Sequence, residues 1–321
     1  MLVITGAAGF IGSYLLGRLN REGLTDIVLV DDFSRPDKRR NLEGKDFALQ
    51  IHRDDFPTWM AENPGKVSFV FHIGARTDTT AMDIPLFDRL NTGYSKSIWS
   101  LCAQQGVPLV YASSAATYGA GEFGYSDDLT LIPKLQPLNP YGWSKQYFDL
   151  WVLEQKECPP FWAGLKFFNV YGPNEYHKGR MASVIFHASR QIADSGKVKL
   201  FRSHRPDFRD GWQLRDFVYV KDVAEVCMFL YRKKVESSIY NLGTGKARSF
   251  YDLAVSTFRA MKRELEIEYI DIPQDIRDTY QYFTEASMDK LVGQGYDLPF
   301  TSLEDGVQDY VANFLSSDRY F

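Results

Sequence analysis

Tyr141 and Lys145 stand four positions apart in the stretch Tyr141-Gly142-Trp143-Ser144-Lys145. On a helix that spacing puts both side chains on one face, so an ammonium can sit beside a phenol. A free tyrosine ionises near pH ~10 and is a poor base at neutrality. A neighbouring positive charge favours the phenolate and brings the phenol into the range of a general acid or base. The same pair on a solvated helix surface would do nothing, so other groups must give it meaning. Ser114 is one of them. It follows the apolar run 109–113, and a hydroxyl at the carboxyl end of a strand can bond a substrate oxygen.

A second group is Gly6-Ala7-Ala8-Gly9-Phe10-Ile11-Gly12, which follows a short apolar run and opens a helical pattern. The first glycine permits a tight turn, the second lets backbone approach a pyrophosphate, and the third lets helix pack closely on strand. Phosphate then meets the unpaired N–H groups of a helix N-terminus. Asp31, with Asp32 after it, ends the next apolar run at a distance where an acid can hold a ribose. A dinucleotide is therefore expected, but the residues leave its identity open. Asp31 and Asp32 would repel a 2′-phosphate and favour NAD. Arg35, Lys38, Arg39, Arg40 and Arg53 could neutralise that phosphate and favour NADP, or could form only a solvated charged loop.

These groups need a scaffold. Apolar runs at 2–5, 27–30, 69–72, 109–113 and 164–170 lack clean alternation and read as buried parallel strands. Segments 9–22 and 94–105 between them carry helical periodicity. The order strand, helix, strand predicts an α/β fold: a Rossmann-type doubly wound parallel sheet with a smaller, discontinuous α/β substrate domain. Residues 1–170 and 215–248 are expected to form the dinucleotide-binding unit, and 171–214 with 249–321 the substrate unit. Further strands are predicted at 216–220 and 239–242, a helix at 250–262, and an irregular charged loop at 202–214.

The chain has 321 residues, 45% of them hydrophobic, and a net charge of −4. That balance argues against nucleic acid or an anionic membrane as the main partner. No apolar run approaches the ~20 residues of a membrane span. The first residues show no signal-peptide pattern. Cys102, Cys158 and Cys227 are scattered without metal-ligand spacing, so no metal site is expected and a reducing cytoplasm fits.

Taken together, the three glycines, Ser114 and Tyr141-x-x-x-Lys145 resemble the extended short-chain dehydrogenase/reductase family, whose members mostly modify nucleotide sugars. Asn91, Phe168-Asn169-Val170-Tyr171-Gly172-Pro173, Arg215-Asp216-Phe217-Val218-Tyr219-Val220 and Asn241-Leu242-Gly243 match it as well. The resemblance covers essentially the whole chain. Glu175-Tyr176-His177-Lys178-Gly179-Arg180-Met181-Ala182-Ser183, followed by His187, is similar to the ADP-L-glycero-D-manno-heptose 6-epimerase subgroup, as is Tyr280-Gln281-x-Phe283-Thr284.

That resemblance implies tightly bound NADP, with NAD as the alternative, and Lys178 as a second catalytic base beside Tyr141, Lys145 and Ser114. It implies cofactor contacts from Gly6, Gly9, Phe10, Ile11 and Gly12, and from Asp31, Asp32, Lys38 and Arg53. Ile73, Gly74, Ala75, Arg76 and Thr77 are expected in the next wall, with Asn91, Lys145, Val170 and Lys178 completing the site. Asn169, Arg180, His187, Phe201, Arg215 and Tyr280 are expected to grip an ADP-sugar, Arg215 by a bidentate fork. A homo-oligomer, in the subgroup a pentamer, and a place in lipopolysaccharide synthesis are further implications. Two departures stand out. Ile73 occupies a position where the subgroup tends to carry an acid, and the 202–214 loop looks longer than usual. A nucleotide-sugar 4-epimerase would share Ser114, Tyr141 and Lys145 but leave Lys178 idle. A 4,6-dehydratase would want acids where Ala115 and Ala116 stand, and a non-catalytic dinucleotide sensor would not need both Tyr141 and Lys145.

Overall fold

Apolar residues at every position of a run demand cover on both faces, and a central parallel strand receives it. The computed structural model describes residues 1–233, 235–277 and 279–321. Its first half runs β1 (Leu2–Thr5), α1 (Phe10–Arg21), β2 (Ile27–Asp31), β3 (Leu49–His52), α2 (Phe56–Glu62) and β4 (Phe69–His72). It continues through α3 (Ile84–Phe87), α4 (Tyr94–Gln105), β5 (Leu109–Ser114), α5 (Pro140–Glu154) and β6 (Trp162–Phe167). β1, β2, β4 and β5 are buried along their whole length.

The second half contains β7 (Asn169–Tyr171), α6 (Val184–Ser195), β8 (Val198–Phe201), β9 (Leu214–Arg215), β10 (Phe217–Tyr219), α7 (Val220–Arg232) and β11 (Ser238–Leu242). β12 (Arg248–Ser249), α8 (Phe250–Ala260) and β13 (Ile267–Ile270) follow. Seven parallel strands form one sheet in the order β11-β6-β5-β4-β1-β2-β3. The chain builds outward from β1 in one direction, then returns to add β4 and its successors on the other side. Between β1 and β4 the connections diverge and leave a crevice at the carboxyl ends, where such sheets bind ligands. The Rossmann-type sheet expected from the runs is therefore present.

Three local readings change. β3 escaped notice because it is an edge strand whose first two residues are exposed, so its sequence is too polar to stand out. The run 164–170 is two strands. β6 lies in the main sheet, the Phe168 amide then donates to the Leu242 carbonyl (3.1 Å), and β7 pairs with β10 instead. The run 216–220 shortens to β10, because Val220 already begins α7. The loop 202–214 is irregular, as its composition predicts, but well tied: Arg205 lies over the rings of Phe208 and Tyr282 at 5.4 and 5.1 Å.

His72, at the end of β4, fastens the crevice from within. Its Nδ1 is 2.7 Å from Thr5 Oγ1 and its Nε2 is 2.9 Å from Ser95 Oγ. Burial, with help from the Lys145 charge, holds its pKa down to about 3 from 6.5. A depressed histidine stabilises the fold fully above pH 6.5 and loses that contribution as pH falls toward 3. His72 is thus expected to account for about 3 kcal/mol of the stability lost between pH 7 and pH 4. Denaturant unfolding at the two pH values should show a smaller acid loss in His72→Asn than in wild type; equal losses would refute the assignment.

Candidate functional site

The turn after β1 is shaped by what its glycines leave out. Gly6 has φ +67°, and a Cβ there would sit 2.6 Å from the Gly74 Cα. A Cβ on Gly12 would run into the Gly6 carbonyl oxygen. Side chains at these positions would force the turn open, so the backbone of Gly6–Gly12 and the start of α1 stay close and bare. This cradle opens into a cleft of about 590 Å³. Gly6, Gly9, Phe10, Ile11 and Gly12 line one side, and Ile73, Gly74, Ala75, Arg76 and Thr77 the other. Asp31, Asp32, Lys38 and Arg53 stand at one end, and Lys178 also borders the cleft.

The charged end has a definite wiring. Asp31 accepts the Ala8 amide at 2.9 Å through Oδ2, and the Asp32 amide at 2.7 Å and Lys38 Nζ at 3.0 Å through Oδ1. Its oxygens are thereby committed to fixing the glycine turn to β2. The Arg53 guanidinium lies 3.6 Å from Asp32, and its buried Nε has no hydrogen-bond partner in the protein, only a looser ion pair with Asp54 at 3.7 Å. Ser34 hydrogen bonds, more than Arg53 or His52, hold the Asp32 carboxyl below its usual range. Arg35 adds a further cation at the rim.

Three expected cofactor contacts are not on this wall. Asn91 is buried in a π-helical turn (Asp88–Gly93) and works from behind. Its Oδ1 accepts the Arg76 amide at 2.8 Å, and its Nδ2 donates to the Arg76 carbonyl at 3.0 Å and Ser144 Oγ at 2.9 Å. It fixes the 73–77 loop to α5 and so shapes the wall without lining it. Val170 is half-buried on β7, and Lys145 is buried on α5; neither borders the cleft.

Tyr141 and Lys145 owe their place to the start of α5, where the Asn139 side chain accepts the Gly142 amide at 2.8 Å and Pro140 supplies the first turn. Ser114, close beside Tyr141, pulls the phenol down, but burial outweighs it and the pKa is raised overall. Here the expectation that Lys145 lowers Tyr141 meets a correction. The Lys145 ammonium is turned to the Ala112 carbonyl at 2.8 Å. With its pKa near 8 it loses its charge before the raised Tyr141 phenol titrates, so that charge can favour the phenolate only below about pH 8. Burial also brings Lys145 itself down to about 8, against the upward pull of Asp149.

Lys178 sits in a short 3-10 segment (Tyr176–Met181) that the rest of the fold pins at both ends. Asn174, with φ 76°, donates to Ser13 Oγ at 3.0 Å and accepts the Phe321 amide at 2.9 Å. The Phe321 ring stacks on Tyr14 at 3.9 Å. On the far side Glu175, fully buried, accepts the Ser183 amide and hydroxyl, both at 2.6 Å. The Lys178 ammonium ends 5.3 Å above the Phe10 ring, and burial lowers its pKa against the opposing charge of Glu175. A lysine pushed down in this way gains the capacity to accept a proton nearer neutral pH.

The residues expected on the sugar nucleotide form one tight group and some outliers. Arg215 is buried between Phe250 and Tyr280, 5.6 and 5.2 Å from their rings, and Phe201 meets Tyr280 edge-on at 5.8 Å. The fork expected to be open is partly spent, since Nη1 donates to the Leu214 carbonyl and Nη2 to that of Gln281. His187 is half-buried on α6 beside Phe186, Asn169 is exposed on β7, and Arg180 is exposed beyond Lys178. Residues that were not singled out also border the cleft, among them Leu86, Arg89, Leu90, Tyr94 and Met181. Only the placement of 84–94 just before a predicted helix could have pointed to the first four.

The cleft and its surroundings have counterparts. A family model described as the NAD dependent epimerase/dehydratase family matches residues 2–243. A protein of Fusobacterium nucleatum named ADP-L-glycero-D-manno-heptose-6-epimerase is 47% identical, covering 99% of each chain. A Helicobacter pylori structure described by the same enzyme name superposes with a TM-score of 0.82 at 26% identity, covering 97% of this chain and 95% of that one. A Thermus thermophilus UDP-glucose 4-epimerase in complex with NAD gives a TM-score of 0.76 at 25% identity over 97% of each chain.

Proposed function

The chain belongs to the NAD dependent epimerase/dehydratase family, and we propose that within it the protein is an ADP-glycero-manno-heptose 6-epimerase working through a tightly held NADP. The observation that carries this reading is the position of Lys178, half-buried at the edge of the dinucleotide cleft with its ammonium over Phe10. Whole-chain similarity to a heptose epimerase at 47% identity supports it. The glycine cradle fits a pyrophosphate, because side chains there would occupy the space the backbone needs. Gly6, Gly9 and Gly12 would hold the pyrophosphate, with Arg35, Lys38 and Arg53 around the adenosine ribose. The bound nicotinamide supplies the oxidation and reduction at one carbon.

The chain's own part is proton transfer and orientation. Tyr141 takes the proton from the substrate hydroxyl in one orientation of the sugar, and Lys178 returns one to the carbonyl oxygen in the other. In the reverse direction the roles exchange. Ser114, beside Tyr141, holds the reacting oxygen. Arg215, Phe201 and Tyr280 grip the nucleotide sugar away from the reacting carbon, joined by Asn169, Arg180 and His187. The division of the chain into 1–170 with 215–248 and 171–214 with 249–321, a homo-oligomeric state and a cytoplasmic location belong to the same proposal. Among the described residues no helix is long and apolar enough to cross a membrane.

The test is incubation, without added cofactor, with ADP-D-glycero-D-manno-heptose and UDP-galactose side by side, the retained dinucleotide being weighed by mass spectrometry. Turnover of the heptose alone, with NADP retained, is expected. Turnover of UDP-galactose instead would make the protein a 4-epimerase, and a retained dinucleotide without turnover would make it a sensor.

NADP over NAD rests on the wiring of the acids. Asp31 spends its oxygens on the protein and Lys38, while Arg53 keeps a buried Nε without a hydrogen-bond partner. A charge-assisted bond to phosphate is worth about 1.5–3 kcal/mol. Arg53→Ala is therefore expected to weaken NADP by about tenfold or more and leave NAD nearly unchanged. Competition of the two dinucleotides for refolded protein reads this ratio, and equal weakening of both would count against it.

A further inference from the structure

Behind the proposed redox centre lies a pair of charges that the chemistry above does not use. Asp149 on α5 and Lys166 on β6 are joined at 2.7 Å, and both side chains are wholly shielded from solvent. Replacing such a pair by apolar residues is often neutral or stabilising, so fold stability alone is a weak reason for its presence. Its connections give a better one. Asp149 Oδ2 also accepts the Ser113 hydroxyl at 2.6 Å, and Oδ1 accepts the Tyr111 hydroxyl at 3.3 Å. Lys166 Nζ donates to Thr117 Oγ1 at 2.6 Å, and that hydroxyl donates to the Ser114 carbonyl at 2.8 Å. Ser114 is thus held from its preceding residue by Asp149 and from its own carbonyl by the Lys166–Thr117 arm. Tyr141, Lys145 and Asp149 sit four positions apart in turn along α5, so the helix that carries the phenol also carries the anchor of the serine.

We propose that Asp149 and Lys166 are positioning residues of the redox centre, holding Ser114 in register with Tyr141. The proposal rests on the reading of Tyr141 and Ser114 as the reacting pair. Facing Asp149 and Lys166 are Tyr111 and Tyr118, the latter with the Lys166 ammonium 5.3 Å over its ring. From α5 come Lys145 and Tyr141, both acted on by the Asp149 charge. Asp127 feels Lys166, and His72 feels Lys145. At Tyr141 two consequences of losing the Asp149 charge oppose each other: the direct repulsion of the phenolate goes, but so does support for the neighbouring ammonium. At Lys145 there is one consequence, a fall in its pKa, so Lys145 is the group to watch.

The experiment compares wild type with Asp149→Asn, which keeps the shape and one acceptor oxygen, and with the double variant Asp149→Asn/Lys166→Met, which removes both charges. The double variant guards against the single one failing to fold. Protein labelled with nitrogen-15 at lysine side chains gives the Lys145 titration directly. In Asp149→Asn it should move down by about one unit. In the folded double variant kcat should fall by about tenfold, with KM for the nucleotide sugar and dinucleotide retention unchanged, because misplacing a reacting group weakens only the chemical step. A Lys145 titration that stays put, with wild-type kcat in the double variant, overturns the proposal. A protein that turns over no nucleotide sugar would refute the functional reading, and the Lys145 titration would still decide the positioning.

Discussion

Lys178→Met is expected to fold, retain its dinucleotide and turn over the heptose substrate about 10²–10⁴-fold more slowly than wild type, the range lost with a general acid or base. Lys178 borders the cleft on a segment pinned by Asn174 and Glu175, and burial has lowered its pKa. A solvated surface lysine would have neither the position nor the shift. Methionine keeps most of the length and the apolar stem while removing the proton-carrying nitrogen, and its sulfur packs acceptably against Phe10. Loss of the cation over Phe10 is worth about 0.5–2 kcal/mol, too little to unfold the protein. Thermal unfolding and cofactor content should therefore match wild type while kcat collapses. A one-base enzyme, in which the ketone turns over in front of Tyr141, would give undiminished kcat in this variant. That outcome would remove the heptose reading's chemical basis and favour a 4-epimerase.

Much of this architecture was legible because burial leaves a mark on composition. β1, β2, β4 and β5 are apolar throughout since both faces are covered, and their runs could be read to within a residue. β3 could not be, because a half-exposed edge strand needs few apolar residues. The break between β6 and β7 was hidden for another reason. Phe168 is as apolar as its neighbours and its amide still bonds Leu242 of the main sheet; only the next amide, that of Asn169, turning to the Asp216 carbonyl at 3.0 Å, shows that the chain leaves the sheet there. Periodicity cannot reveal a change of pairing partner.

The site divides along the same line. Glycine spacing located the cradle because steric exclusion acts locally, on the turn itself. The direction of the Lys145 ammonium, the use of Asn91 as a brace behind Arg76, and the partial commitment of the Arg215 fork depend on residues far away in sequence. The Asp149–Lys166 pair was equally silent, since a charge in a helical pattern reads as a solvated face until the structure buries it.

Tyr141→Phe is the second large loss, and its pH dependence separates it from the first. Removing the phenolic oxygen deletes the proton-carrying group beside Ser114 and is expected to cost about 10²–10⁴ in kcat. Burial has raised the Tyr141 pKa, and the opposing pull comes from Ser114. Lys145 therefore matters chiefly through its own state: with a pKa near 8 it carries its charge below that value and loses it above. While charged it favours the phenolate form of a group four positions away on the same helix face. Wild-type kcat should then decline as pH rises through about 8. The residual activity of Tyr141→Phe should lack that decline, because no phenolate remains for the ammonium to favour. Lys178→Met should keep it, since its loss leaves Tyr141 and Lys145 intact. Rates for the two variants from pH 6 to pH 10 decide between these patterns. If Tyr141→Phe keeps an alkaline decline identical to wild type, the Lys145 charge acts elsewhere, and the Tyr141–Lys145 pair is not the acid–base unit proposed for it.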